Sequence, residues 1–264
     1  MPFSVIIALL VVAIVVLAAG FFVVMGRRSS SSSRKPKQKD RSTALKDANR
    51  RLASNPRDHE ALRTIADIYY DEETWDKAMK TYGILMNLAA SNQEIVEWEV
   101  TARYGMAAIQ LKQIEEAYKA LMVARTLKED SFEINYNLGY LEYRRSNLER
   151  AVQLLRHAQE QKPENVAVRR YLGRSLHKLH KYREALPHLK HVVELEPEDK
   201  ETLFFLAQAY QELGQNEQSL AIFTHLRPDP SMGPHAALFA GSIRMGKRDT
   251  EQAILDFELG LRHE

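Results

Sequence analysis

Residues 132–165 read FEINYNLGYLEYRRSNLERAVQLLRHAQEQKPEN, and residues 166–199 read VAVRRYLGRSLHKLHKYREALPHLKHVVELEPED. Laid over each other, Leu138-Gly139, Ala151 and Pro163 fall on Leu172-Gly173, Ala185 and Pro197, a beat of 34 residues. Gly105 and Ala117 stand one period earlier. A period of this length in helix-rich sequence means stacked helix pairs rather than one globular core. Small residues at fixed places let two helices approach, and larger apolar residues fill the space beside them. Proline cannot continue the preceding helix and marks the turn. Stacks of this kind make grooves, so the beat points to binding rather than catalysis.

The beat extends in both directions. Residues 200–233 carry Leu203, Leu206, Ala207, Tyr210, Gly214, Ser219 and Phe223 in phase, and 234–264 carry Gly241, Ala253 and Phe257. Upstream, 98–131 gives Gly105, Ala117, Leu121 and Ala124, and 59–97 gives Leu62, Ile65, Ala66, Tyr69, Trp75, Ala78 and Tyr82. The pattern resembles the tetratricopeptide repeat family over about 59–264. The resemblance implies an all-α fold: a right-handed α-solenoid of about six helix pairs, 43–264, opened by a capping helix at 43–58. The first repeat is about five residues too long, around Ala89–Glu97. The proline cluster at 227–234 should shorten the second helix of the fifth repeat, and Pro187 is expected near a helix start, where a missing N–H costs little. No polar cap follows Phe257, Leu259 and Leu261, so an apolar face is expected at that end.

Charge is unevenly placed. Hydrophobic (45%) and charged (27%) fractions are those of a folded protein, yet residues 1–25 carry no charge at all. Seven of the 37 basic and one of the 35 acidic residues lie within 26–41, which leaves 42–264 with 30 basic and 34 acidic groups, a net of −4. The formal net charge of +2 is therefore no argument for a nucleic-acid partner. The chain has no cysteine, which excludes disulfides, thiol catalysis and cysteine-ligated zinc.

Phe3 to Met25 is an unbroken apolar run. As a helix it would rise about 34 Å at ~1.5 Å per residue, enough for a bilayer core of ~30 Å. A cleaved signal peptide would instead begin with a basic segment, and Met-Pro-Phe-Ser has none. Residues 1–26 thus read as a transmembrane anchor, and 27–42, with its five serines, as a basic flexible linker. Arg27, Arg28, Arg34, Lys35, Lys37 and Lys39 all follow the anchor, which places the N-terminus outside and the repeats in the cytoplasm, under the inner membrane in a bacterium. The same cations either touch anionic lipid or only set topology.

In the resembled family the first helix of each pair lines a concave groove. The corresponding positions include Met106, then Tyr136, Tyr140, Tyr143 and Arg144, then Arg170, Arg174 and His177, and Phe204. The centre of the groove is thus aromatic and the next repeat basic. Tyrosine gives broad contact with little rotamer entropy to lose, and arginine grips carboxylates in pairs of bonds. The expected ligand is a peptide or protein partner with apolar anchors and acidic residues; the bland reading is that the tyrosines pack between helices and the charges are solvated. The carboxylate clamp of chaperone-tail binders is missing: its places read Ala102, Met106, Asn137, Ala167 and Tyr171, and only Asn137 fits.

Little else carries chemistry. His177/His180 and His188/His191 have a spacing that can bind zinc, but the pairs fall on different helices and nothing completes the set, so neither a metal nor a cofactor is expected. No catalytic motif is present, and the chain reads as no enzyme. The functional expectation is a membrane-anchored protein–protein adaptor; the alternative is a self-assembling scaffold, a homo-oligomer using its C-terminal face.

Overall fold

The computed structural model of the protein describes residues 38–261. The apolar run and most of the linker lie outside them; among the described residues no helix is long and apolar enough to cross a membrane. The chain divides into two units, Met1–Lys46 and Asp47–Glu264, and the helix stack belongs to the second. The first helix, α1 (Gln38–Ser54), begins several residues before the expected cap.

Every described element is α-helical. Six pairs follow α1: α2 (His59–Asp71) with α3 (Trp75–Ala89), α4 (Glu97–Gln110) with α5 (Ile114–Leu127), and α6 (Phe132–Arg144) with α7 (Leu148–Gln161). Then come α8 (Val166–Lys178) with α9 (Tyr182–Leu195), α10 (Lys200–Glu212) with α11 (Asn216–Leu226), and α12 (Gly233–Gly246) with α13 (Thr250–Leu261). From α2 on, each helix packs on the next. First helices of successive pairs also touch (α4 on α6, α6 on α8, α8 on α10), which makes them an inner row and leaves the second helices as an outer row.

The small residues of the beat sit at the helix crossings. A Cβ on Gly105 would lie 2.8 Å from Leu121, one on Gly139 2.7 Å from Leu155, one on Gly173 3.0 Å from Leu189, and one on Gly241 2.8 Å from Phe257. Opposite them Ala78, Ala117, Ala151, Ala185, Ser219 and Ala253 are fully buried. The Ser219 hydroxyl is satisfied by donating to the Ala207 carbonyl at 2.8 Å. Side chains before the inner helices cap them: Asp58, Ser131, Asn165 and Asp199 each accept from a backbone N–H three residues on.

Within each pair the turn uses one residue in the left-handed region: Glu73, Lys112, Ser146, His180, Gly214 and Arg248. Only one is glycine, so this second beat is invisible as a residue pattern. The proline cluster shortens α11 to 11 residues, against 14 in α9. One expectation needs correction. Pro187 is the sixth residue of α9, beyond the first four whose N–H groups have no partner in any case, so α9 runs through it with one backbone bond fewer.

Gly139→Ala should lower stability. Overpacking against Leu155 costs about 1–3 kcal/mol, more than the ~0.5–1 kcal/mol that alanine gains in a helix. A urea midpoint equal to or above wild type would show that the crossing has room.

Candidate functional site

A cleft of about 780 Å³ opens on the inner row where α4, α6 and α8 meet. Its walls are Tyr136, Asn137, Tyr140 and Arg144 from α6, Tyr171 from α8, and Ile109, Gln110, Lys112 and Ile114 from the end of α4 and the start of α5. The helical spacing of 136, 140 and 144 puts those side chains on one face, one turn apart.

Tyr171 is the hub. Its ring centroid lies 5.0 Å from that of Tyr140, 5.4 Å from Tyr143 and 6.4 Å from Tyr136. Tyr136 in turn stacks on Phe132 at 5.9 Å with planes 2° apart. Burial pushes the Tyr136 hydroxyl up to about 12 and also raises Tyr143 and Tyr171, so all three remain protonated donors. The rings hold one another, which fixes the cleft before anything enters it.

Arg144 is exposed and donates to the Tyr140 hydroxyl at 2.8 Å, with its guanidinium 5.8 Å from the ring centroid. No carboxylate pairs with it among the described residues. Lys178 lies with its ammonium 4.6 Å from the Tyr143 ring centroid, a cation–π contact rather than an ion pair. The cleft itself is aromatic, with Lys112 and Arg144 as its cations and no carboxylate in its walls.

The sequence placed nine residues in the groove, and the structure gathers only some of them. Tyr136, Tyr140 and Arg144 line the cleft, and Tyr143 supports it from the core, 9% exposed. Met106 packs into the cluster around Leu121 and Leu138. Phe204 meets Phe223 and Phe239, each at 5.5 Å, in a separate cluster. His177, 9% exposed, is wedged between the rings of Phe205 at 4.9 Å and Tyr182 at 5.1 Å.

The basic wall is the main correction. Arg174 is only 6% exposed, and its guanidinium is saturated by Asp199 at 2.9 Å, Glu201 at 2.7 Å and Thr202 at 2.7 Å. Arg170 binds Asp199 at 2.8 Å and pairs with Glu196. Both arginines tie α8 to the turn that starts α10, and their carboxylate partners there leave neither as a free cation of the groove. Asp199 also caps α10, so one carboxylate fastens two arginines and a helix end. The sequence shows Glu196 and Asp199 as turn residues, with nothing local to reveal partners 25–29 residues upstream. Tyr171, which the sequence reading met only as a mismatched clamp position and not as a groove residue, was findable as an aromatic in the middle of an inner helix, one turn before Arg174.

His177 and His188 are held down at about 4 against an ordinary 6.5. Burial is the chief cause; His180 and Lys178 add to it at His177, and Arg169 and Arg156 at His188. Neither ring nitrogen of His177 has a hydrogen-bond partner. Among the described residues no three His, Asp or Glu side chains gather to hold a metal ion.

Two family models match parts of the chain: the tetratricopeptide repeat over 176–238, and anaphase-promoting complex, cyclosome, subunit 3 over 119–192. Among solved structures the chain is similar to YrrB, described as a TPR protein with an unusual peptide-binding site, at 20% identity, TM-score 0.60, covering 68% of this chain and 92% of that one. It is also similar to MamA from Desulfovibrio magneticus RS-1, at 20% identity and TM-score 0.56, covering 63% and 94%. At this identity the likeness shows the fold alone. No curated protein matches the sequence. Over the matched residues the chain carries tetratricopeptide repeats, and the helices of the described residues form an all-α solenoid of that kind.

Two outcomes are expected. Arg174→Gln should destabilise the fold by about 3 kcal/mol, because Asp199 and Glu201 lose their buried counter-charge; an unchanged urea midpoint would return Arg174 to the groove. The unfolded chain protonates His177 and His188 near 6.5 and the folded chain only near 4. Stability should then fall as pH drops through that window and be fully present above it. In His177→Phe, His188→Leu, Tm measured from pH 7 to 4.5 should fall less steeply; equal slopes would refute the assignment.

Proposed function

We propose that this protein is a membrane-anchored adaptor whose tyrosine cleft holds an acidic, apolar segment of a partner protein. The observation that carries the reading is the cleft itself: the rings of Tyr136 and Tyr140 both lie against that of Tyr171, with Arg144 at the rim bonded to a tyrosine hydroxyl instead of a carboxylate. An aromatic floor offers contact area at little entropic cost, and a free guanidinium offers a two-pronged carboxylate site. The apolar run at 3–25 and the basic residues after it support a single span, with the repeats held at the cytoplasmic face by the serine-rich tether. A linker of that composition leaves the cleft free to search for partners near the bilayer.

A second reading, a self-assembling scaffold, is supported by one feature. Met245, Ile254, Leu255 and Leu261 of the last pair are 45–59% exposed, unusual for four large apolar side chains close in sequence. Concentration-dependent sedimentation that vanishes in Ile254→Ser, Leu255→Ser would favour it; a monomer throughout would dismiss it.

The adaptor is tested by cross-linking from native membranes with a photoreactive residue at Asn137. Wild type is compared with Tyr140→Ala, Arg144→Glu, both changes lying on the cleft surface and outside the Arg174 network. The double variant should keep its helical circular dichroism and lose the cross-linked partner, with affinity reduced about 10–100-fold. The same partner captured equally by both proteins would rule the cleft out. Resistance of the full chain to alkaline extraction, lost on removal of residues 1–25, tests the anchor separately.

A further inference from the structure

The outer row carries a groove of about 500 Å³ between α3 and α5, floored by α4. Its floor is Gly83, Thr101, Tyr104 and Ala120, and its apolar walls are Ile84, Met86 and Val123. Ile84 and Val123 are 47% and 49% exposed although both stand mid-helix. The groove lies on the opposite row of helices from the tyrosine cleft and shares no residue with it.

Gly83 makes this groove. The buried residues Ala78, Ala117, Ala151, Ala185, Ser219 and Ala253 set the register of the outer helices. Five residues after them stand Gly83, Met122, Arg156, Lys190, Thr224 and Glu258, so the first outer helix alone has no side chain there. A glycine inside a helix is destabilising relative to alanine. At Gly105, Gly139, Gly173 and Gly241 the helix crossing explains it, since a Cβ would meet packed side chains at 3.0 Å or less. At Gly83 a Cβ would meet only the Tyr104 ring, at 3.4 Å, an ordinary contact. Packing therefore does not require this glycine; what it does is remove a side chain from the floor of an open apolar groove.

The rim has a charge preference. Lys119 pairs with no carboxylate among the described residues, and Lys80 is held only by Asp76, one turn away on the same exposed helix face. The one carboxylate in the lining, Glu116, accepts from the Tyr104 hydroxyl at 3.0 Å. A concave, small-residue floor between two helices accepts a third helix better than a flat bilayer surface. We infer that the groove at Gly83 docks an amphipathic helix of a partner protein, its apolar stripe against Ile84, Met86 and Val123 and acidic residues beside that stripe at Lys119 and Lys80. The proposal does not rest on the tyrosine cleft, and the two can succeed or fail separately.

The absence of cysteine allows Asn87→Cys, at the edge of the groove and outside the three apolar wall residues, to carry a single environment-sensitive dye on the full chain. The probe is a displayed library of 16-residue helices with a fixed leucine stripe, flanked by glutamate, lysine or serine. Glutamate-flanked helices should be enriched and should shift the dye. Gly83→Met, which restores the residue type of the next repeat, should weaken them at least tenfold with circular dichroism unchanged. Lys119→Glu, a fully surface change, should weaken the same helices and gain lysine-flanked ones. No enrichment, binding indifferent to both changes, or binding lost in Tyr140→Ala but kept in Gly83→Met would overturn the proposal. So would a dye shift produced equally by anionic phosphatidylserine vesicles in wild type and Gly83→Met, which would make the surface a lipid contact.

Discussion

At four of the six helix crossings a glycine faces a leucine or phenylalanine across a gap that would not admit one more carbon: Gly105, Gly139, Gly173 and Gly241. The rest of the molecule depends on that closeness. Because the two backbones of a pair nearly touch, the large apolar residues are displaced to the sides, where they meet the neighbouring pair. Leu172 and Leu176 thus join a cluster that includes residues of α7 and α10. No pair can bury its own apolar surface, and each is folded only as part of the stack.

The same geometry governs the polar residues. Inner helices lie side by side, so a long side chain on one reaches the turn that opens the next inner helix. Arg170 and Arg174 use that reach on Asp199, and Lys162 similarly meets Glu133 at 3.1 Å. A stripe of basic residues that looks like a ligand surface becomes, in the stack, a set of inter-repeat clamps. Arg144, the last residue of α6, has no carboxylate partner among the described residues and bonds to the Tyr140 hydroxyl instead. Specificity in the tyrosine cleft therefore falls to a few residues rather than to the whole concave face.

The two proposed surfaces differ in origin. The inner cleft is built from added bulk, with Tyr136, Tyr140 and Tyr171 clustered across two repeats. The outer groove is built from missing bulk at Gly83. The two share no residue, so partners held at both would not compete.

The sequence by itself determined the helix pairs, their phase and their number, because close approach demands small residues at fixed intervals and those intervals can be read without coordinates. The family resemblance implied which helices would be inner, and helical spacing alone puts Tyr136, Tyr140 and Arg144 on one face. Only the tertiary structure decided that Arg170 and Arg174 are tied to carboxylates 25–29 residues on, a distance no local pattern records, and that His177 is closed in by Phe205 of the next repeat as well as by Tyr182 of its own. It also decided that Glu73, Lys112, Ser146, His180 and Arg248 take left-handed turns without glycine. There the packing of two helices outweighs a local preference of about 1 kcal/mol, and propensity alone would not have placed the turns.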